Sequence, residues 1–99
     1  MKKVFISQPM VDKTNEKIEA TRKEIITKVS EMLGDDCEII DSFFKDAPHD
    51  ARPLWFLGKS FELLSTADAV WFGDGWEKYR GCTMEHEAAV RYGLNIVKD

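Results

Sequence analysis

Near its C-terminal end the chain reads GWEKYRGCTMEHEAAV, and Glu85 follows the RGC run by three residues. Thr83 or Cys82 is the expected helix start, which places Glu85 in the first helical turn. An acid in that position is favoured by the helix dipole and by free backbone N–H groups, whatever the protein does. The same carboxylate can also do chemistry, because those N–H groups would keep it ionised and able to act as a nucleophile. Asp74, between Gly73 and Gly75, is the second candidate acid. GDG is an ordinary turn sequence, but an aspartate there can also accept a hydrogen bond from a hydroxyl-bearing ligand. Asp68, in TAD, is expected to cap or turn instead.

The residues around these acids offer recognition. Ser7 to Met10, SQPM, follow a short β-rich run; Gln8 carries both donor and acceptor, and Pro9 stiffens the turn. The alternative is a plain strand-to-helix connection. Trp76 and Tyr79 lie in a loop with three glycines, where they can stack on a flat ring or fold back to close the loop. Arg80 can pair with a phosphate or with an acidic neighbour. Cys82 is small, and its size can matter more than its sulfur. Phe43 and Phe44 can wall a ligand edge or pack beneath their loop. His49 and His86 lack metal-ligand spacing to any other ligand, and the two cysteines, Cys37 and Cys82, form no CxxC. No metal and no cofactor is expected. His86 adjoins Glu85 on the helix and points elsewhere, since neighbouring helical residues diverge.

Seven elements must position these groups. KVFIS, CEIID, ADAVWF and LNIVKD read as strands. TNEKIEATRKEIITKVSEML reads as an amphipathic helix with Ile18, Ile25, Ile26, Val29, Met32 and Leu33 near one face, Thr14 as N-cap and Gly34 beyond its end. LWFLGKSFELLST and TMEHEAAVRY are the other helices, the latter ended by Gly93. The alternation predicts one α/β domain over residues 1–99, Rossmann-like or flavodoxin-like. Its parallel four-stranded sheet has the expected order 2-1-3-4, with helices on both faces. In such sheets ligands bind beyond the carboxyl ends of the strands, where the order switches. That edge is built from SQPMVD, DSFF and GDGWEKYRG, the loops that hold most of the candidates.

Composition narrows the ligand. The chain has 99 residues, 43% hydrophobic and 32% charged, with a net charge of −4. It has no basic stripe or tail, which argues against a nucleic acid polymer. A single nucleotide needs only backbone N–H groups and at most one cation. No apolar run has the length of a membrane span and no export signal opens the sequence, so no membrane and a cytoplasmic setting are expected. A carboxylate at this edge can attack an anomeric carbon, since cleavage of an N-glycoside passes through an oxocarbenium-like state that a carboxylate stabilises or captures.

KVFISQPM, DSFF, LGKSFELLSTADAVWF and GWEKYRGCTMEHEAAVRYG together resemble the small bacterial and phage domains described as nucleoside 2-deoxyribosyltransferase-like. More distantly they are similar to the nucleoside 2-deoxyribosyltransferases and the 2′-deoxynucleoside 5′-phosphate N-hydrolases. The resemblance covers essentially the whole chain. It implies a parallel-sheet fold, a nucleoside or nucleotide substrate, homodimers or higher homo-oligomers, and a helix-start glutamate nucleophile. Glu85 falls at that place, with Gly81 at the glycine four residues earlier. Three positions depart from the enzymes. Their first-strand tyrosine is Phe5 here, the glycine after it is Gln8, and their catalytic aspartate is Ser60. Two function classes follow. One is an enzyme that cleaves or transfers at an N-glycosidic bond, with Glu85 at C1′, Asp74 on the sugar, SQPM on base or sugar, and Trp76 stacked. The other is a module that holds a nucleotide or a nucleotide-derived signal in the same pocket without turnover.

Overall fold

The computed structural model describes residues 1–9, 13–42, 44 and 47–99. The chain forms β1 (Lys2–Ser7), α1 (Asn15–Leu33), β2 (Cys37–Ile39), α2 (Pro53–Leu64), β3 (Ala69–Phe72), a 3-10 turn (Trp76–Lys78), α3 (Arg80–Arg91) and β4 (Ile96–Lys98). The strands form one parallel sheet in the order β2-β1-β3-β4. The order switches between β1 and β3, the two central strands.

Strand alternation sends successive side chains to opposite faces. Val4 and Ile6 of β1, with Ala69 and Trp71 of β3, pack against Ile25 and Val29 of α1. Phe5, Val70 and Phe72 pack on the other face with Leu64 of α2 and Ala89 of α3. All of β3 is buried, which is why ADAVWF lacks a polar alternation.

The ends of α1 match their sequence signals. Thr14 Oγ1 accepts from the Lys17 N–H at 3.2 Å, and Gly34 takes the left-handed conformation, φ 69°, that closes the helix. Its buried face is Ile18, Arg22, Ile25 and Val29, with Ile26 and Leu33 partly buried beside it. Met32, expected on that face, is 58% exposed. Ile26 and Leu33 pack on the opposite flank of the line through 18, 22, 25 and 29, so the buried stripe leans away from position 32.

The start of α3 is corrected by the structure. The helix begins at Arg80 with Tyr79 as N-cap, not at Cys82 or Thr83. Gly75, at φ 81°, admits the 3-10 turn that leads the chain in, and Thr83 N–H already donates to Tyr79 C=O at 2.9 Å. Cys82, Glu85 and Ala89 then share the buried face of α3, at i, i+3 and i+7.

Candidate active site at the switch point

Ser7 is the last residue of β1 and Glu85 lies in the second turn of α3. Ser7 Oγ donates to Glu85 Oε1 at 2.9 Å, and both side chains are buried, at 1% and 7% exposure. Glu85 lies beyond the free N–H groups of the helix start, so the expected ionised first-turn carboxylate is not what forms. Burial dominates instead. It pushes the Glu85 pKa up to about 7, against the opposing pull of the Ser7 hydrogen bond and the charge of Arg22. The buried Cys82 thiol lies beside the same Ser7 hydroxyl. Burial raises its pKa, the Ser7 contact lowers it, and the Glu85 charge raises it further.

Gln8 follows Ser7 and turns to the opposite face. Its Oε1 accepts from Arg22 Nε at 2.8 Å, and Arg22 Nη2 donates to Ser42 Oγ at 2.9 Å. Gln8, Arg22 and Ser42 are all buried. Thus α1, β1 and the segment after β2 are tied together beside the Ser7–Glu85 pair. Gly73 completes the edge from β3. Its N–H donates to Ser7 C=O at 2.8 Å, and a Cβ there would lie 3.2 Å from Gln8 Cβ, tighter than normal packing allows.

The structure therefore brings together Ser7, Gln8, Cys82 and Glu85, with buried Pro9 next to them. Gly81 lies one turn before Glu85, half-buried, with open space where a Cβ would project. Other candidates go elsewhere. Asp74 is an exposed surface acid paired with Lys98 Nζ of β4 at 3.0 Å, and it takes no part in the hydrogen bonds around Glu85. Trp76 folds back: its ring stacks on His86 at 4.1 Å and touches Phe72. His86 Nε2 lies 3.0 Å from Asp99, away from the Glu85 pair. Phe5 is a core residue, 1% exposed. Ser60 is half-buried within α2, and Arg80 is exposed at the start of α3. Phe44 packs on Trp55 and Phe56. Asp68 accepts from the Lys3 N–H at 2.8 Å, a tie across to the start of β1 in place of the local cap or turn bond expected of it. Met10 and Phe43 lie outside the described residues.

Two members of the site were not singled out in the sequence. Ser42 belongs to DSFF, which was placed at the right edge. Arg22 had a signal of its own: it interrupts the apolar line Ile18, Ile25, Val29 at the spacing of a buried position. An arginine there must find acceptors inside the protein.

Among the described residues no group of three or more His, Cys, Asp or Glu could hold a metal ion, and no helix is long and apolar enough to cross a membrane. No family model and no curated protein matches the chain. The crystal structure of a conserved protein from Enterococcus faecalis V583 is similar, with a TM-score of 0.69 and 17% sequence identity, over 99% of this chain and 62% of that one. The chain thus spans less than two thirds of that protein's length. At this identity the likeness shows the fold.

The raised Glu85 pKa has a consequence for stability. In the unfolded chain the group titrates near 4.5, and in the folded protein near 7. Between those values the folded state holds the proton more tightly, so its contribution is full below pH 4.5 and lost as pH rises through 7. The loss is roughly 2–3 kcal/mol from pH 5 to pH 8. Urea unfolding of the wild type and Glu85→Gln at both pH values measures it. The wild type should lose stability relative to the variant by that amount as pH rises. A gain would mean that the carboxylate is held ionised.

Proposed function

We propose that this protein cleaves or transfers at the N-glycosidic bond of a nucleoside or nucleotide, with Glu85 as the group that meets C1′. The buried Glu85 carboxyl, hydrogen-bonded to Ser7 at the switch point, carries this reading. A carboxylate short of water gains most from a positive partner, because the attraction strengthens as the surroundings become less polar. The oxocarbenium-like centre at C1′ is such a partner.

In the ionised form, Glu85 bonds to C1′ as the C1′–N bond breaks. The electron pair leaves on the base nitrogen, which takes a proton from solvent. Water then displaces Glu85 to give the free sugar, or a second base does so to give a new nucleoside. A pKa near 7 leaves the group populated in both forms at neutral pH, so it can take up or release a proton between these steps. Ser7 orients the carboxyl. Gln8 and the Gly73 edge line the approach, and the space above Gly81 lies one turn from Glu85. Asp74, Trp76 and Arg80 stay outside this core role, with Arg80 on the surface where a phosphate could reach it. The expected setting is the cytoplasm.

A second reading is a binding protein that holds a nucleotide or a nucleotide-derived signal intact. Two observations favour it. Phe5, at the place of the enzymes' tyrosine, is sealed in the apolar core, and Ser60 brings no carboxylate.

We also propose self-association through α2. Of its twelve residues only Leu64 is buried, while Leu54, Phe56 and Phe61 are 75%, 36% and 38% exposed. Lys59 pairs with Glu62 within the helix, so two copies of this face would meet without net like charge. Leu54, Gly58 and Phe61 follow one another at i, i+4 and i+7. A Cβ at Gly58 would meet nothing among the described residues, so none of them calls for a glycine that costs about 1 kcal/mol against alanine. A second helix crossing at Gly58 would use that space. Sedimentation at micromolar concentration should show a dimer that Leu54→Asp converts to monomer; a monomeric wild type contradicts it.

The enzyme reading is tested by incubating the protein with 2′-deoxynucleosides and their 5′-monophosphates and separating free base by chromatography. Base release should fall about 10²-fold or more in Glu85→Gln and Glu85→Ala. Stoichiometric binding without base release would favour the second reading. Equal release by wild type and both variants would remove Glu85 from the chemistry. Neither binding nor release would make the Ser7 contact a structural tie alone.

A further inference from the structure

Arg22 is 5% exposed in the middle of the apolar face of α1, between Ile18 and Ile25. An arginine at this place is costly to bury unless its donors are used. Two of them are, and the chemistry fixes their direction. A guanidinium has donors and no acceptor. Gln8 must therefore turn its oxygen, and not its NH2, toward Arg22, and Ser42 must accept through Oγ. Each partner is left with its donor turned away from the guanidinium: the amide N–H2 of Gln8 and the O–H of Ser42. Gln8 directly follows Ser7, so the direction of the amide is set one residue from the partner of Glu85. Arg22 does not form a salt bridge with Glu85, yet its charge lowers the Glu85 pKa from a distance. The negative charges acting on Arg22 are those of Asp41, Glu85 and Glu19, in that order. They oppose the lowering caused by burial. Beside the burial of Glu85, the groups acting on it are Ser7 of β1 and Arg22 of α1, while Cys82, on its own helix, feels the Glu85 charge.

We propose that Arg22 is a positioning residue: its fork fixes Gln8 and Ser42 so that they meet a ligand as hydrogen-bond donors, and its buried positive charge acts on the Glu85 carboxylate across the end of β1. A ligand group at this edge is then an acceptor, such as a carbonyl or phosphoryl oxygen. The inference rests on the reading above only for the arrival of a nucleoside or nucleotide. The positioning itself is measured on ligand-free protein, so it stands or falls separately from turnover.

The experiment is NMR of the labelled full chain, following the Gln8 side-chain NH2 pair and the Glu85 carboxyl carbon across pH, in wild type, Arg22→Lys and Arg22→Met. In the wild type the Gln8 pair should be shifted from free-amide positions and exchange slowly, and Glu85 should titrate near 7. Arg22→Met puts an apolar chain into an apolar stripe, a replacement that buried ionic sites often accept. It should release the Gln8 pair to free-amide positions and raise the Glu85 midpoint by about one unit. Arg22→Lys keeps the charge without the planar fork. It should hold the Glu85 midpoint near the wild-type value while the Gln8 pair is released. Should the Met variant fail to fold, the Lys variant alone decides. A Gln8 pair unchanged in the Lys variant, or a Glu85 midpoint unchanged in a folded Met variant, overturns the proposal.

Discussion

A carboxyl group removed from water must find a partner, take a proton, or both. Glu85 does both in part, and the local architecture is arranged around that compromise. Its hydrogen bond to Ser7 requires the second turn of α3 to lie close over the end of β1. Ala89 and Cys82, small residues on the same helical face, allow that approach, and Gly73 lets the end of β3 press against Ser7 and Gln8. A larger residue at any of these places would push α3 or β3 away and admit water to the carboxyl. The pKa near 7 is then a measure of how dry the arrangement is.

The end of β1 is the joint of the site. Because successive strand residues face opposite ways, Ser7 reaches toward α3 while Gln8 reaches toward α1. Two adjacent residues thus couple a buried acid on one face of the sheet to a buried base on the other. A parallel sheet whose order switches beside β1 provides such a joint naturally, since the strand ends and the helices that follow them diverge there. Arg22 and Glu85 lie on opposite faces of the sheet without a direct salt bridge, each held by its own polar partner. In a fully buried direct pair, much of the attraction would be consumed by desolvation. Here both groups remain addressed to the same edge.

The fold was legible because its determinants are local. Thr14 and Gly34 mark the ends of α1, β3 is apolar throughout, and strands alternate with helices, which leaves few ways to connect a parallel sheet. The site was legible in part. The topology pointed to the carboxyl edge of the sheet, and Glu85, Ser7, Gln8 and Cys82 meet at that edge. The start of α3 was not legible, because it depends on Gly75 admitting a 3-10 turn, a matter of backbone conformation that side-chain periodicity does not encode. Misplacing that start by two or three residues reversed the expected state of Glu85, from an ionised first-turn acid to one raised by burial. The pairing of Asp74 was not legible, because its partner, Lys98, comes from β4 and is 24 residues away. Arg22 was visible as an anomaly in an apolar stripe, but its meaning came only with the acceptors that the fold supplies.

The most direct test of the central claim, that Glu85 is the group a ligand meets, is a crystal structure of the protein soaked with a mixture of 2′-deoxynucleosides and their 5′-monophosphates. Density is expected at the switch point with C1′ in reach of the Glu85 carboxyl, or a sugar bonded to it, and Gln8 donating to an oxygen of the ligand. A ligand seated at another edge of the sheet, with the Ser7–Glu85 pair undisturbed, would contradict it.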